Sequence, residues 1–255
     1  MITPEDATAS GRGGPRALAV VRRHPEVWPA LGVAAAWLAL LLARQGAGAG
    51  MAGGMDMGGR AAAAGAGYRA GPGVWRQAAA GLPSWLLMTV AMMGPAALPR
   101  IGHVGRASAR RLPAMAGFAA VYLAVWAAFG LGVLAAAAAI PGVPGPRALA
   151  VTLAAAVAWQ LSPFKRALLR ACHRAPEIRA APRHGLRYGL CCLGACWCLM
   201  LVMVAAPGGQ LYWLAGLAVL ITVERAADDA RGVARNGAAA LGVAAVATLA
   251  VGGLL

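Results

Sequence analysis

Residues 113–140 read PAMAGFAAVYLAVWAAFGLGVLAAAAAI, an apolar run with no Asp, Glu, Lys or Arg anywhere in it. About 20 such residues are enough for a helix to cross the hydrocarbon core of a bilayer. Shorter runs of the same kind lie on either side, at 27–43, 83–98, 148–161, 188–206, 211–223 and 237–255. The expected fold is therefore all-α, a polytopic transmembrane helix bundle of about seven spans. The runs at 148–161 and 211–223 are short, and a re-entrant segment fits either of them equally well. Residues 1–26 read as a polar tail and residues 27–255 as one transmembrane helical domain. Within that domain, 44–82 forms a Gly/Ala/Met-containing loop, and 141–146, with the sequence PGVPGP, is a tight exit turn.

Composition supports this class. Of the 255 residues, 60% are hydrophobic and 12% are charged, about half the charged share of a soluble domain. The net charge of +15 does not indicate a nucleic-acid partner, because the basic residues are clustered between the apolar runs. Eighteen of them fall in 1–26, 100–112, 163–187 and 225–236, and only Arg44, Arg60, Arg69, Arg76 and Arg147 lie on the alternate side. Basic loops stay cytoplasmic and meet anionic lipid there. The expected topology is N-in, C-out, with multiple passes through a bacterial cytoplasmic (inner) membrane, and the lipid bilayer is the first partner. The run at 27–43 follows Arg22 and Arg23 but is longer than a signal-peptide core, so it reads as an uncleaved first helix.

The chemistry-bearing residues are sulfurs. Residues 191–200 read CCLGACWCLM and hold four of the five cysteines. Residues three or four apart share a helix face, so Cys192, Cys196, Met200 and Met203 form one stripe. Thiolate and thioether sulfurs select Cu(I), and zinc is the other ion that enough thiolates take. The topology puts these thiols near a reducing compartment, where disulfides are not expected. Cys172-His173, just before this helix, offers a further thiol and an imidazole to the same site. Met88 and Met92 share a face of the second span with Met93 beside them, and Pro95 and Pro99 are expected to break that helix near its cytoplasmic end. Met51, Met55, Asp56 and Met57 form a sulfur-rich patch in the outward loop. Every one of these sulfurs also has a plain reading as a packing residue, since Cys and Met fill irregular gaps between helices. Glu224, the one acid at the end of a run, is either functional or satisfied by its neighbour Arg225. Nothing resembles a phosphate loop, a Ser/His/Asp constellation or a two-carboxylate hydrolase pair, so no catalytic residue is assigned.

Several stretches appear in a familiar order. They are Trp85, Met88, Ala91-Met92-Met93, Pro95 and Pro99; then Gln160-Leu-Ser-Pro163-Phe-Lys165; then Cys192-Leu-Gly194-Ala-Cys196-Trp197 with Leu199-Met200; then Trp213 and Glu224. Over about 83–225 the chain resembles the bacterial DUF2182 family of predicted metal-binding integral membrane proteins, and the resemblance implies a membrane helix bundle with a metal function. The chain departs from that pattern at Leu168 and Ala195, where cysteines are expected, and at Gly209-Gln210, where a Met-Asn pair is expected. Cys191 and Cys198 are extra thiols on the same helix.

Three functions compete. The first is a Cu(I)-handling or relay protein whose ligands come from Cys192, Cys196, Met200, Cys172, Met92 and Met88, with a metallochaperone or other membrane subunits as partners. The second is a structural or accessory subunit of a larger membrane complex, without a metal of its own. The third is a membrane oxidoreductase, which the few histidines outside the spans and the lack of a haem or two-copper ligand pattern do not favour.

Overall fold

The computed structural model describes residues 27–47, 72–140, 145–173, 181–206, 210–227 and 230–252, and every element among them is helical. In chain order these are α1 (Val27–Ala47), α2 (Pro72–Ala107), α3 (Arg111–Ala139), α4 (Pro146–Leu161), α5 (Pro163–His173), α6 (Ala181–Ala205), α7 (Gln210–Ala226) and α8 (Ala230–Gly252). Helices satisfy their backbone polar groups internally, which apolar surroundings demand. The outward faces are apolar too: Phe164, Val243 and Val246 are 71%, 71% and 69% exposed.

Among the described residues three helices are long and apolar enough to cross a membrane: Gly73–Ala107, Arg111–Ala139 and Ala181–Ala205. The α4–α5 pair, bent by 68° at Ser162, makes a fourth if it counts as one span. That is fewer than the expected seven. The apolar part of α1 is Val27–Ala43, α7 has only 17 residues, and α8 opens on Arg231 and Arg235.

Helix boundaries also run past the apolar runs. α2 begins at Pro72, inside the segment expected to be loop, because proline is well suited to the first helical position. The expected basic loop at 163–187 is helical at both ends. α5 is amphipathic, burying Lys165, Leu169 and Cys172 while Arg166 and Arg170 face outward. α6 starts seven residues before Tyr188, at Ala181. Arg and Leu are both good helix formers, so a helix need not stop where its apolar stretch does.

The expected break at Pro95 and Pro99 does not occur, since α2 is continuous with Pro83, Pro95 and Pro99 inside it. Pro95 has no N–H for the carbonyl four residues earlier. That carbonyl belongs to Ala91, and Trp37 Nε1 of α1 donates to it at 3.0 Å. A neighbouring helix thus supplies the missing hydrogen bond.

Close approaches set the directions of the central helices. Gly81 of α2 faces Leu134 of α3, while the Trp85 indole covers Gly130 and donates to the Trp126 carbonyl at 2.9 Å. As α2 advances α3 recedes, so the two are antiparallel. Gly185 of α6 lies against the Phe118 backbone, and Gly189 lies against Tyr122 and Val125, so α3 and α6 run parallel. A Cβ on Gly185 would sit 2.6 Å from the Phe118 carbonyl oxygen, which explains why this crossing needs a glycine. Helix α6 is the most buried of the three long apolar helices and packs on α3, α4, α5 and α7.

Candidate metal centre

The sulfur stripe of α6 faces the bundle interior. Cys192, Cys196, Met200 and Met203 are all buried, as are Ala195 and Leu199. All five cysteines are free thiols. Cys192 and Cys196 lie one helical turn apart on the buried face of α6 and within interaction range of each other. Cys172 is buried on α5, in electrostatic range of Cys191 and Cys196. The side chain of His173 and the Met51, Met55 and Met57 patch lie outside the described residues.

Two tyrosines frame the thiols. Tyr122 Oη of α3 is 3.2 Å from Cys192 Sγ in a hydrogen bond. Tyr188, one turn before Cys192 on α6, donates to the Ala96 carbonyl of α2 at 3.2 Å. That bond ties α6 to α2. Met88, Met92 and Met93 of α2 are buried.

Positive charge enters from α7. Arg225 Nη1 donates to Tyr188 Oη at 2.8 Å, and Nη2 points to Cys196 Sγ at 3.9 Å. Its guanidinium carbon lies 5.5 Å from the Tyr188 ring centroid. Arg225 is electrostatically coupled to Cys172, Cys192 and Cys196, and its Nε has no hydrogen-bond partner among the described residues. Arg100 of α2 caps the same end, donating to the Cys172 carbonyl at 2.7 Å.

Glu224 points elsewhere. It accepts from Lys165 Nζ at 2.8 Å and from Gln160 Nε2 at 2.6 Å. Lys165, Gln160 and Glu224 are each 1% exposed. The expectation that Arg225 satisfies Glu224 is thus corrected. Consecutive helical residues project about 100° apart, so Glu224 reaches the α4–α5 bend while Arg225 reaches the thiols. Lys165, which the sequence placed in a solvated basic loop, is instead buried at that bend, where Ser162 Oγ accepts from its backbone N–H at 3.1 Å.

The departures from the expected pattern also have a structural setting. Leu168 of α5 packs on Gly194 of α6, with its Cδ1 2.9 Å from where a glycine Cβ would be. Leu168 therefore abuts α6 one residue before Ala195. Apolar packing occupies the place where the resemblance expected two more thiols. His184, which the sequence reading left outside the spans, is buried in α6 with its ring 5.6 Å from that of Phe118.

No three His, Cys, Asp or Glu side chains converge as a metal-holding group among the described residues. The centre is instead a thiol pair with thioethers on the same stripe, set beside the part-buried guanidinium of Arg225. Its donor set is soft and suits an ion that needs few ligands. Tyr122 was missed because only packing brings α3 to Cys192. Tyr188 was open to detection, lying four residues before Cys192 on the same face.

The chain is thus a bundle of helices with apolar outer faces around buried thiols. The family described as PpoB2, copper chaperone, matches residues 82–248, and the chain belongs to that family. Its function is therefore copper-related. No curated protein and no solved structure matches the chain.

Proposed function

We propose that this protein is a bacterial inner-membrane copper handler that holds or relays Cu(I) through Cys192 and Cys196. The single observation behind this reading is the pair of fully buried free thiols one helical turn apart on α6. Met200 extends the donor set on the same stripe, and Cys172 approaches from α5. Met92 and Met88, buried on α2, offer thioethers for passing the ion along the bundle. Thiolates bind Cu(I) more strongly than thioethers do, so the cysteines anchor and the methionines assist. Zinc is the competing ion. An N-in, C-out topology, drawn from the distribution of Lys and Arg, sets the thiol end near the cytoplasm, where a metallochaperone or a membrane subunit would exchange the ion.

The test is copper stoichiometry of detergent-purified protein, loaded anaerobically with Cu(I) and desalted. The parent should retain copper, and the Cys192→Ser/Cys196→Ser double variant should lose it while still inserting in membranes, since serine is accepted at helix interfaces. Equal retention by parent and double variant would make these thiols packing residues and favour an accessory-subunit role.

A further inference from the structure

We propose that Arg225 is the built-in counter-ion of the Cys192/Cys196 centre and sets its preference for a monovalent soft ion over a divalent one. The inference rests on the copper-binding reading above and adds a residue and a selectivity to it.

The argument is one of charge. Among the described residues, the polar groups around the thiols are the part-buried Arg225, the buried Lys165 with its partner Glu224, and the phenols of Tyr122 and Tyr188. Lys165 and Glu224 neutralise each other at 2.8 Å, and both phenols are neutral at ordinary pH. Arg100 is part-buried at the same end but donates to the Cys172 carbonyl rather than to a sulfur. Among the described residues that leaves Arg225 as the uncompensated cation directed at the thiols, and its guanidinium is charged at every relevant pH.

The guanidinium is also aimed at the sulfurs. Nη1 is anchored on Tyr188, while Nη2 faces Cys196 at 3.9 Å and Nε is unpartnered among the described residues. Nε and Nη2 form the fork with which Arg ordinarily grips an anion. Among the described residues no carboxylate occupies it, because Glu224 is committed to Lys165 and Gln160.

Ion binding gives this arrangement its purpose. When Cu(I) enters, two S–Cu bonds form, two thiol protons leave to solvent, and no electron changes hands. The product carries two thiolates and one monovalent cation, a net charge of minus one that the guanidinium cancels. A divalent ion on the same two thiolates is neutral, and Arg225 beside it leaves the centre with an unbalanced positive charge. Buried net charge is costly in a low-dielectric interior, so the site favours the monovalent ion.

The experiment uses full-length protein in detergent, in the parent and in Arg225→Gln, Arg225→Lys and Tyr188→Phe. Cu(I) affinity is read by anaerobic competition with a chromophoric chelator and by the thiolate-to-copper absorption band, and Zn(II) affinity is read by a parallel competition. Removing a unit charge about 4 Å from the sulfurs should weaken Cu(I) binding by roughly tenfold or more and narrow the Cu(I)-over-Zn(II) preference. Arg225→Lys should restore most of both. Tyr188→Phe removes the anchor but not the charge, and should keep the preference. Unchanged affinities in Arg225→Gln, or an equal loss of preference in Tyr188→Phe, would overturn the inference. If Arg225→Gln does not yield folded protein, Arg225→Lys decides: a retained preference supports the counter-ion and a lost preference overturns it. A parent that binds no Cu(I) would overturn the copper-binding reading as well, whereas a parent that binds it and an Arg225→Gln variant that binds it equally would overturn the counter-ion alone.

Discussion

Replacing Glu224 with glutamine tests how the bundle tolerates charge in its interior. The substitution keeps an oxygen to accept from Gln160, now bonded at 2.6 Å, and removes only the negative charge facing Lys165 Nζ at 2.8 Å. Both ionic side chains are 1% exposed, so the ammonium left behind cannot turn to water without moving the α4–α5 bend. Breaking a buried ion pair from one side costs about 3–5 kcal/mol, most of it the uncompensated charge. The double variant Lys165→Met/Glu224→Gln removes that charge and should recover to within about 1 kcal/mol of the parent, because an apolar replacement of a buried pair is often neutral. Unfolding in detergent, followed by circular dichroism across temperature and denaturant, reads both. A single variant as stable as the parent, or a double variant as unstable as the single, would show that Lys165 and Glu224 are not the coupled pair that fixes α5 against α7.

Two further outcomes follow from the fold and the charge pattern. Trp37→Phe should cost about 1 kcal/mol by leaving the Ala91 carbonyl without its donor, and the cost should shrink in a Pro95→Ala background, where residue 95 regains an N–H for that carbonyl; equal thermal shifts in both backgrounds would break the link between Trp37 and Pro95. A topology reporter fused after Leu255 should signal an extracytoplasmic C-terminus, and a cytoplasmic signal would mean that an odd number of the seven apolar runs does not cross.

Local pattern and tertiary packing carried different parts of this protein. The absence of charge over 113–140 and 188–206 determined that α3 and α6 would be apolar helices, because composition over a helix length depends on no partner. The four-residue spacing of Cys192 and Cys196 likewise determined that their sulfurs would meet, since one helical turn joins them whatever surrounds it. Helix ends were less legible: Arg183, Arg187 and the prolines of α2 marked apolar limits, whereas the helices ran on through them. What lay beyond local reading was everything that crosses from one helix to another. Glu224 and Arg225 are adjacent in the chain and look like a pair, but packing sends one to Lys165 and Gln160 and the other to Tyr188 and Cys196. Lys165 reads as a solvated loop cation until α5 folds against α6 and buries it. Tyr122 and Cys192 meet only because α3 packs on α6. Such contacts join residues dozens of positions apart, and the direction of a side chain between helices is set by the neighbour it meets rather than by the segment that carries it.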